Sequence, residues 1–292
     1  MQKLGIKLNI GPSPIWQKEG WTSLDHKLSK VDKNAIKGDA ENIQLESESC
    51  ATVFCGHLIE HIPHYKLEKC FVEFNRVLKK DGIIRILTPD LYRLAKAYVE
   101  KDANFLEKLR EESGKVRTDL GLGGTLMNFI ISAGQDTALF NNELTEFIGG
   151  YAHIYLYDFE MLKILLEKYG FYNIQQKNFC ESELEDYKEP LHVEGFESVW
   201  QNLNQEFYKK NNLVHKYDEK EHKYKTNFTL TGFDRSPLMS LIIEAKKHHD
   251  VDKVDIKDQY NFDYSRSLLD DKNFKRKCEI LKEISTSVNS ET

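Results

Sequence analysis

The sequence predicts an α/β fold built on a mostly parallel sheet, and three consecutive stretches predict it. Ala51 to Cys55 is a short β-like run that stops at Gly56. Tyr65 to Lys80 places Leu67, Phe71, Phe74, Val77 and Leu78 at helical spacing, and Ile83 to Thr88 is again a near-continuous apolar run. Strand, helix and strand in this order make a parallel pair joined by a helical crossover, so helices cover the sheet.

The other elements follow from the same two periods. Leu4 to Ile10 alternates Ile6, Leu8 and Ile10 against Lys7 and Asn9, a strand that runs into the loop Gly11-Pro12-Ser13-Pro14. Trp21 to Asp25 is a second short strand ending in a carboxylate. Residues 11–20 hold Pro12, Pro14 and Gly20, and are fewer than the dozen or so that a helical crossover between parallel strands needs. If the first two strands are parallel neighbours, their connection is stunted. Ala35 to Asp39 is a candidate third strand, again ending in an acid, and Ala40 to Ser49 reads as loop.

The helix over Tyr65 to Lys80 is expected to stop at Asp81-Gly82, and the next strand to close at Pro89-Asp90. A charged helix then runs from Leu91 to about Arg110, followed by a patch with Gly121, Gly123 and Gly124 and an apolar segment over Thr125 to Ser132. Asp158 to Lys168 is a helix with Asp158 as its cap, Gly170 ends it, and Phe171 to Asn178 is a strand. Leu238 to Ala245 is the last strong strand. Beyond Lys246 the chain is a charged tail with one candidate helix near Phe274 to Ile284. The expected organisation is a domain over residues 1–246, with inserts at about 91–150 and 181–231, and a tail over 247–292 that is partly helical or disordered.

Composition narrows the class. The 292 residues suffice for a core that needs no staples. Five cysteines, an odd number without a C-x-x-C pair, speak against a structural zinc knuckle and for a reducing compartment. The start MQKLGIKLNIG lacks the apolar core of a signal peptide, and no run approaches the ~20 apolar residues of a membrane span. A cytoplasmic protein is expected. A formal net charge of −6 gives no general attraction to phosphate backbones, so no nucleic-acid partner is expected. The oligomeric state is not legible.

The chemistry concentrates in Gly56-His57-Leu58-Ile59-Glu60-His61-Ile62-Pro63, at the carboxyl end of a strand, the edge where open α/β folds bind ligands. His57 to His61 matches the H-x-x-E-H signature of inverted zinc peptidases, in which both histidines share one face of a helix. The flanks argue against such a helix, because a strand and Gly56 precede it and Pro63 follows two residues after His61. No later segment supplies an obvious third ligand on a helix, so no metal is assigned and the zinc hydrolase stays as an alternative.

Taken in order, the Gly11 loop, the acids at 25 and 39, G-H-L-I-E-H-I-P, R-V-L-K-K-D-G and P-D-L resemble the class I S-adenosylmethionine (SAM)-dependent methyltransferases. The likeness is closest to the type 11-like group, whose central block reads S-H-V-L-E-H and R-V-L-K-P-G-G. YDFEMLKILLEKYGF and SPLMSLIIEA resemble the late helix and the closing antiparallel strand of that group. The resemblance implies a Rossmann-like methyltransferase sheet, mostly parallel with an antiparallel closing strand, helices on both faces and two inserts. It implies SAM as cofactor, contacted by Asn9, Ile10, Gly11, Asp25, Asp39, Ala40, Cys55, Gly56 and His57. In this reading Asp25 grips the ribose hydroxyls and Asp39 lies near the adenine.

The loop departs from the family pattern D/E-x-G-x-G: Asn9 replaces the acid, the later glycines are missing, and Pro12 and Pro14 remove two backbone donors. The expected function is methyl transfer to an oxygen or nitrogen of a small-molecule or glycan-like acceptor. His57 and His61 are the candidate bases, because imidazole titrates near neutrality. Glu60, Tyr151, His153 and Trp200 are the expected acceptor-binding residues. The competing expectation is a non-catalytic module of the same fold that has lost its cofactor.

Overall fold

A computed structural model describes residues 5–12, 16–26, 32–113, 120–132, 153–193, 216–218, 223–225 and 230–251. By internal contacts the chain divides into Met1–Asp252 and Lys253–Thr292, and the description concerns the first unit. Its centre is a seven-stranded sheet. The strands are β1 (Ile6–Ile10), β2 (Trp21–Asp25), β3 (Ile36–Lys37), β4 (Cys50–Gly56), β5 (Leu78–Pro89), β6 (Phe171–Gln176) and β7 (Ser240–Lys247). They lie in the spatial order β3-β2-β1-β4-β5-β7-β6.

Strands β1 to β5 run parallel, and β7 enters antiparallel between β5 and β6. The first five strands thus take the doubly-wound order, in which the chain steps outward from β1 and then returns to its other side with β4. β1 and β2 are parallel neighbours, in register from Lys7↔Trp21 to Ile10↔Leu24. No helix occurs among the described residues of their connection, so the crossover is stunted as the sequence indicates. The third strand is shorter than Ala35 to Asp39, only two residues long.

The strands alternate between two apolar layers. Val53, Cys55, Ile84, Ile86, Leu241 and Ile243 face a core completed by α1 (His64–Val77) and by the helix Phe159–Lys168. Phe54, Leu87 and Ile242 face the other way, into an aromatic layer. There Trp16, Trp21, Tyr187 and Phe233 pack with ring centroids 4.5 to 6.3 Å apart. Trp21 belongs to β2, and the other three rings come from loops and the 3-10 turn Glu185–Lys188, beside a short antiparallel ladder of His192–Val193 with Leu230–Thr231. The alternation is the period of two that a sheet buried on both faces requires.

Helix α1 ends at Val77, before the expected Lys80, because Leu78 is already fully buried and pairs with Cys50 of β4. The register then jumps from Cys50↔Leu78 to Thr52↔Ile83, and the surplus residues form a bulge in which Asp81 has φ 61°. Gly82 completes it. A Cβ there would stand 2.8 Å from the Lys79 carbonyl oxygen and 3.0 Å from that of Ala51. The expected breaker Asp81-Gly82 therefore bends a strand instead of ending a helix.

The expected helix from Leu91 to Arg110 is two helices, α2 (Leu91–Val99) and α3 (Ala103–Ser113), separated where Lys101 takes φ 56°. A fourth, α4 (Gly121–Met127), runs into a wider π turn over Asn128–Ser132. Leu94, Ala97, Leu106, Leu109 and Phe129 form a small core of their own. Phe159–Lys168, labelled α5 here, starts as expected: the Asp158 carboxylate accepts the Met161 N–H at 2.9 Å. No helix among the described residues is long and apolar enough to cross a membrane.

Candidate active site

Three strand ends meet at one level of the sheet. Ile10, the last residue of β1, pairs with Leu24 on one side and Cys55 on the other. The residues that follow, Gly11, Asp25 and Gly56, therefore emerge side by side. Between β1 and β4 the strand order reverses, and such switch points are where open α/β sheets leave a ligand crevice.

Gly11 donates its N–H to the Leu24 carbonyl at 2.8 Å and has φ 68°, a left-handed conformation that disfavours a side chain. A Cβ there would lie 3.0 Å from both terminal methyls of Leu58, so the Gly11 loop and the loop after β4 touch. Asp25 keeps its carboxylate partly exposed beside His26, with Oδ1 3.1 Å from His26 Nδ1. Its carbonyl accepts the Gly38 N–H at 3.0 Å. Asp39 is exposed and Ala40 half-buried just beyond β3, while Asn9, Ile10 and Cys55 are buried within their strands. A glycine cradle flanked by accessible acids fits a ligand with hydroxyl donors.

The loop after β4 is built around one histidine. The His57 N–H donates to the Leu87 carbonyl at 2.8 Å, and φ of 51° turns the chain out of the strand. The following residues make only a single 3-10 turn, Ile59–His61, before Pro63 opens α1. The helix that the H-x-x-E-H signature needs is absent here, as the flanks imply. His57 is buried, its Nδ1 lies 3.1 Å from Glu60 Oε1, and its Nε2 lies 2.8 Å from Ser240 Oγ. The single Ser240 hydroxyl proton has two acceptors at 2.8 Å, His57 Nε2 and the Arg235 carbonyl. With the His57 proton on Nδ1 facing the carboxylate, the Ser240 proton goes to Nε2.

Glu60 is fully buried. Its Oε2 accepts the Thr88 hydroxyl at 3.2 Å, and its carbonyl accepts the N–H groups of Ile154 and Tyr155 at 2.9 and 3.3 Å. These backbone bonds bring the segment before α5 onto the loop. His153 is buried there, with its ring centroid 5.0 Å from that of His61. Its Nδ1 lies 2.7 Å from the Phe129 carbonyl, which can only accept, so Nδ1 carries a proton, and in the neutral tautomer that this bond selects the lone pair is on Nε2. Burial pushes the His57 imidazolium down to about 4, with Arg235 adding to the effect. Burial works to raise Glu60, but the His57 hydrogen bond and the neighbouring histidines hold its carboxyl down to about 2. At neutral pH Glu60 is a carboxylate beside a neutral His57.

The structure thus brings Glu60, His61 and His153 together, and places His57 behind Glu60. Tyr151 and Trp200 lie outside the described residues. Thr88, Ser240 and the Phe129 carbonyl complete the cluster without having been singled out in the sequence. Thr88 is the penultimate residue of β5, where the strand-end rule would have found it. Ser240 and Phe129 are distant in sequence and carry no local signal.

Residues 19–86 match the family model described as a methyltransferase domain. The match spans β2 to β5 and takes in Asp25, Asp39 and the His57–His61 loop. The matched stretch, less than half of the chain, is similar to a methyltransferase domain. The Gly11 loop, where the sequence departs from the family pattern, precedes the matched residues.

Among solved structures, a SAM-dependent methyltransferase from Archaeoglobus fulgidus is similar at 17% identity, over 84% of this chain and 87% of that one, with a TM-score of 0.40. A SAM-dependent methyltransferase from Thermotoga maritima is similar at 14% identity, over 83% and 82%, with a TM-score of 0.35. No curated protein matches the sequence.

Proposed function

We propose that this protein is a SAM-dependent methyltransferase that transfers the methyl group of SAM to an oxygen or nitrogen of a small-molecule or glycan-like acceptor, a reading supported by the match of residues 19–86 to a methyltransferase domain. The observation that carries this reading is the convergence of Gly11, Asp25 and Gly56-His57 at adjoining strand ends, with Glu60, His61 and His153 on the same side of the sheet beyond β4. When bound, SAM supplies an electrophilic methyl on a sulfonium, so the protein's main task is alignment. Gly11 lets the backbone approach the donor, Asp25 accepts from its ribose hydroxyls, and Asp39 with Ala40 borders its base.

The acceptor is met by the histidine and glutamate cluster, with Tyr151 and Trp200 as further acceptor-side residues. For a hydroxyl acceptor this cluster is where the proton is handled. His57, with both ring nitrogens engaged, is a positioning residue that orients Glu60. Pro12, which offers no backbone donor beside Gly11, favours one second reading, a non-catalytic module.

The test is a screen for S-adenosylhomocysteine release against sugars, amines and carboxylates. Turnover with one acceptor class is expected. Tyr151→Ala and Trp200→Ala are expected to reduce it while sparing SAM affinity. Binding of SAM without turnover on any acceptor would favour the non-catalytic module.

A further inference from the structure

The methyl-transfer reading does not account for how closely the side chains beyond β4 are grouped. Glu60, His61 and His153 each offer a ligand atom, and the three atoms lie within 4.8 Å of one another. We propose that Glu60, His61 and His153 form a binding site for one divalent transition-metal ion of the zinc class. Two imidazoles and a carboxylate are a recurring donor set for such ions, and bond lengths near 2.0–2.1 Å put ligand atoms roughly 3.3 Å apart. The separations need to shrink by up to about 1.5 Å.

The surroundings are those of a supported site. A metal-binding histidine usually donates its other ring N–H to a fixed acceptor, which sets the tautomer and aims the free nitrogen. His153 does this with the Phe129 carbonyl at 2.7 Å. A ligating carboxylate is usually hydrogen-bonded as well, and Glu60 receives bonds from His57 and Thr88 while His57 is held by Ser240. The backbone bonds from Ile154 and Tyr155 to the Glu60 carbonyl fix the two ligand segments to each other.

Charge points the same way. A fully buried carboxylate needs compensation, and no hydrogen bond or ion pair from a lysine or arginine to Glu60 occurs among the described residues. The half-buried Arg235 acts on it only at longer range. A divalent ion would supply the charge at contact distance.

This site differs from the one the H-x-x-E-H signature suggests. His57 stands behind Glu60 as a supporting residue, and the third ligand comes from His153, far along the chain. Three protein ligands leave a coordination position open for water or an acceptor oxygen, whose proton the ion would make easier to remove. Only that use of the open position rests on the methyl-transfer reading; ion binding does not.

The experiment uses the full chain without an affinity tag, stripped with chelator and titrated with Zn2+ and Co2+, with SAM titrated in parallel. One ion per chain is expected at micromolar affinity or tighter, and zinc should raise the unfolding temperature. His61→Ala and His153→Gln should each weaken binding by at least ~100-fold, the upper end of what losing a residue that merely supports a ligand costs. His248→Ala, which removes one of the exposed neighbouring pair His248 and His249, should leave it unchanged.

In the unmodified protein, bound Co2+ should give the visible absorption of a four- or five-coordinate nitrogen and oxygen site. This readout needs no variant to fold. Absence of stoichiometric binding, a spectrum like that of aqueous Co2+, or full affinity in both ligand variants would overturn the proposal. The parallel SAM titration shows whether a failure concerns the metal alone or the methyltransferase reading.

Discussion

Replacing Arg85 with methionine is expected to destabilise the domain by ~3–5 kcal/mol, the cost of breaking a buried ion pair from one side. Arg85 is fully buried in the middle of β5. Its Nε and Nη2 bond both oxygens of Asp234 at 2.9 and 2.5 Å, and Nη1 bonds Glu244 at 2.5 Å and the Glu181 carbonyl at 3.0 Å. Glu244 is its direct cross-strand partner on β7, so the guanidinium joins the antiparallel strand to the parallel part of the sheet. It also lies over the Tyr187 ring, 5.5 Å from the centroid.

Methionine fills much of the same volume but leaves two buried carboxylates without their cation. The unfolding midpoint in denaturant measures the loss, and a change below ~1 kcal/mol would show that water or other groups already screen these acids. Replacing all three charged residues by apolar ones should recover most of the stability, because a buried ion pair and a well-packed apolar substitute are often close in energy.

The second large effect is on the cofactor. Asp25→Ala is expected to weaken SAM binding by ~1.5–3 kcal/mol, the range for removing a charged acceptor from hydroxyl donors and equal to roughly 10- to 150-fold in affinity. The fold should be unaffected. What holds the end of β2 in place is backbone, from the Leu24 carbonyl to the Gly11 N–H and from the Asp25 carbonyl to the Gly38 N–H. The carboxylate itself is partly exposed and lies beside the exposed ring of His26. Titration calorimetry of the folded variant gives the answer, and unchanged affinity would remove Asp25 from the site.

Much of the sheet was legible because its strands carry their own signals. β2 spans Trp21–Asp25, as its alternation and terminal acid indicate, and the cap of α5 is Asp158. The failures occur where distant partners decide. Leu78 belongs to a strand instead of a helix because Cys50 lies opposite it, and no local pattern records that. Arg85 inside an apolar run is legible only as an anomaly, since its partners Asp234 and Glu244 are 149 and 159 residues away.

The same rule governs the site. Gly11, Asp25, Gly56 and the His57–His61 loop could be found at strand ends, because they are local breaks in local patterns. That His57 supports Glu60, and that His153 comes to Glu60 and His61, depends on the approach of the segment before α5 and on Ser240 at the start of β7. Phe129 is buried in the small core of α2 and α3 and gives its carbonyl to His153, a contact that no local pattern records.

The central claim is that the crevice between β1 and β4 holds SAM despite the Gly11-Pro12 loop. Calorimetric titration of the purified full chain with SAM tests it most directly. Saturable binding of about one SAM per chain, weakened in Asp25→Ala, is the expected result; a folded protein that takes up no SAM at ~1 mM, where even a binding free energy of only about 4 kcal/mol would register, would contradict it.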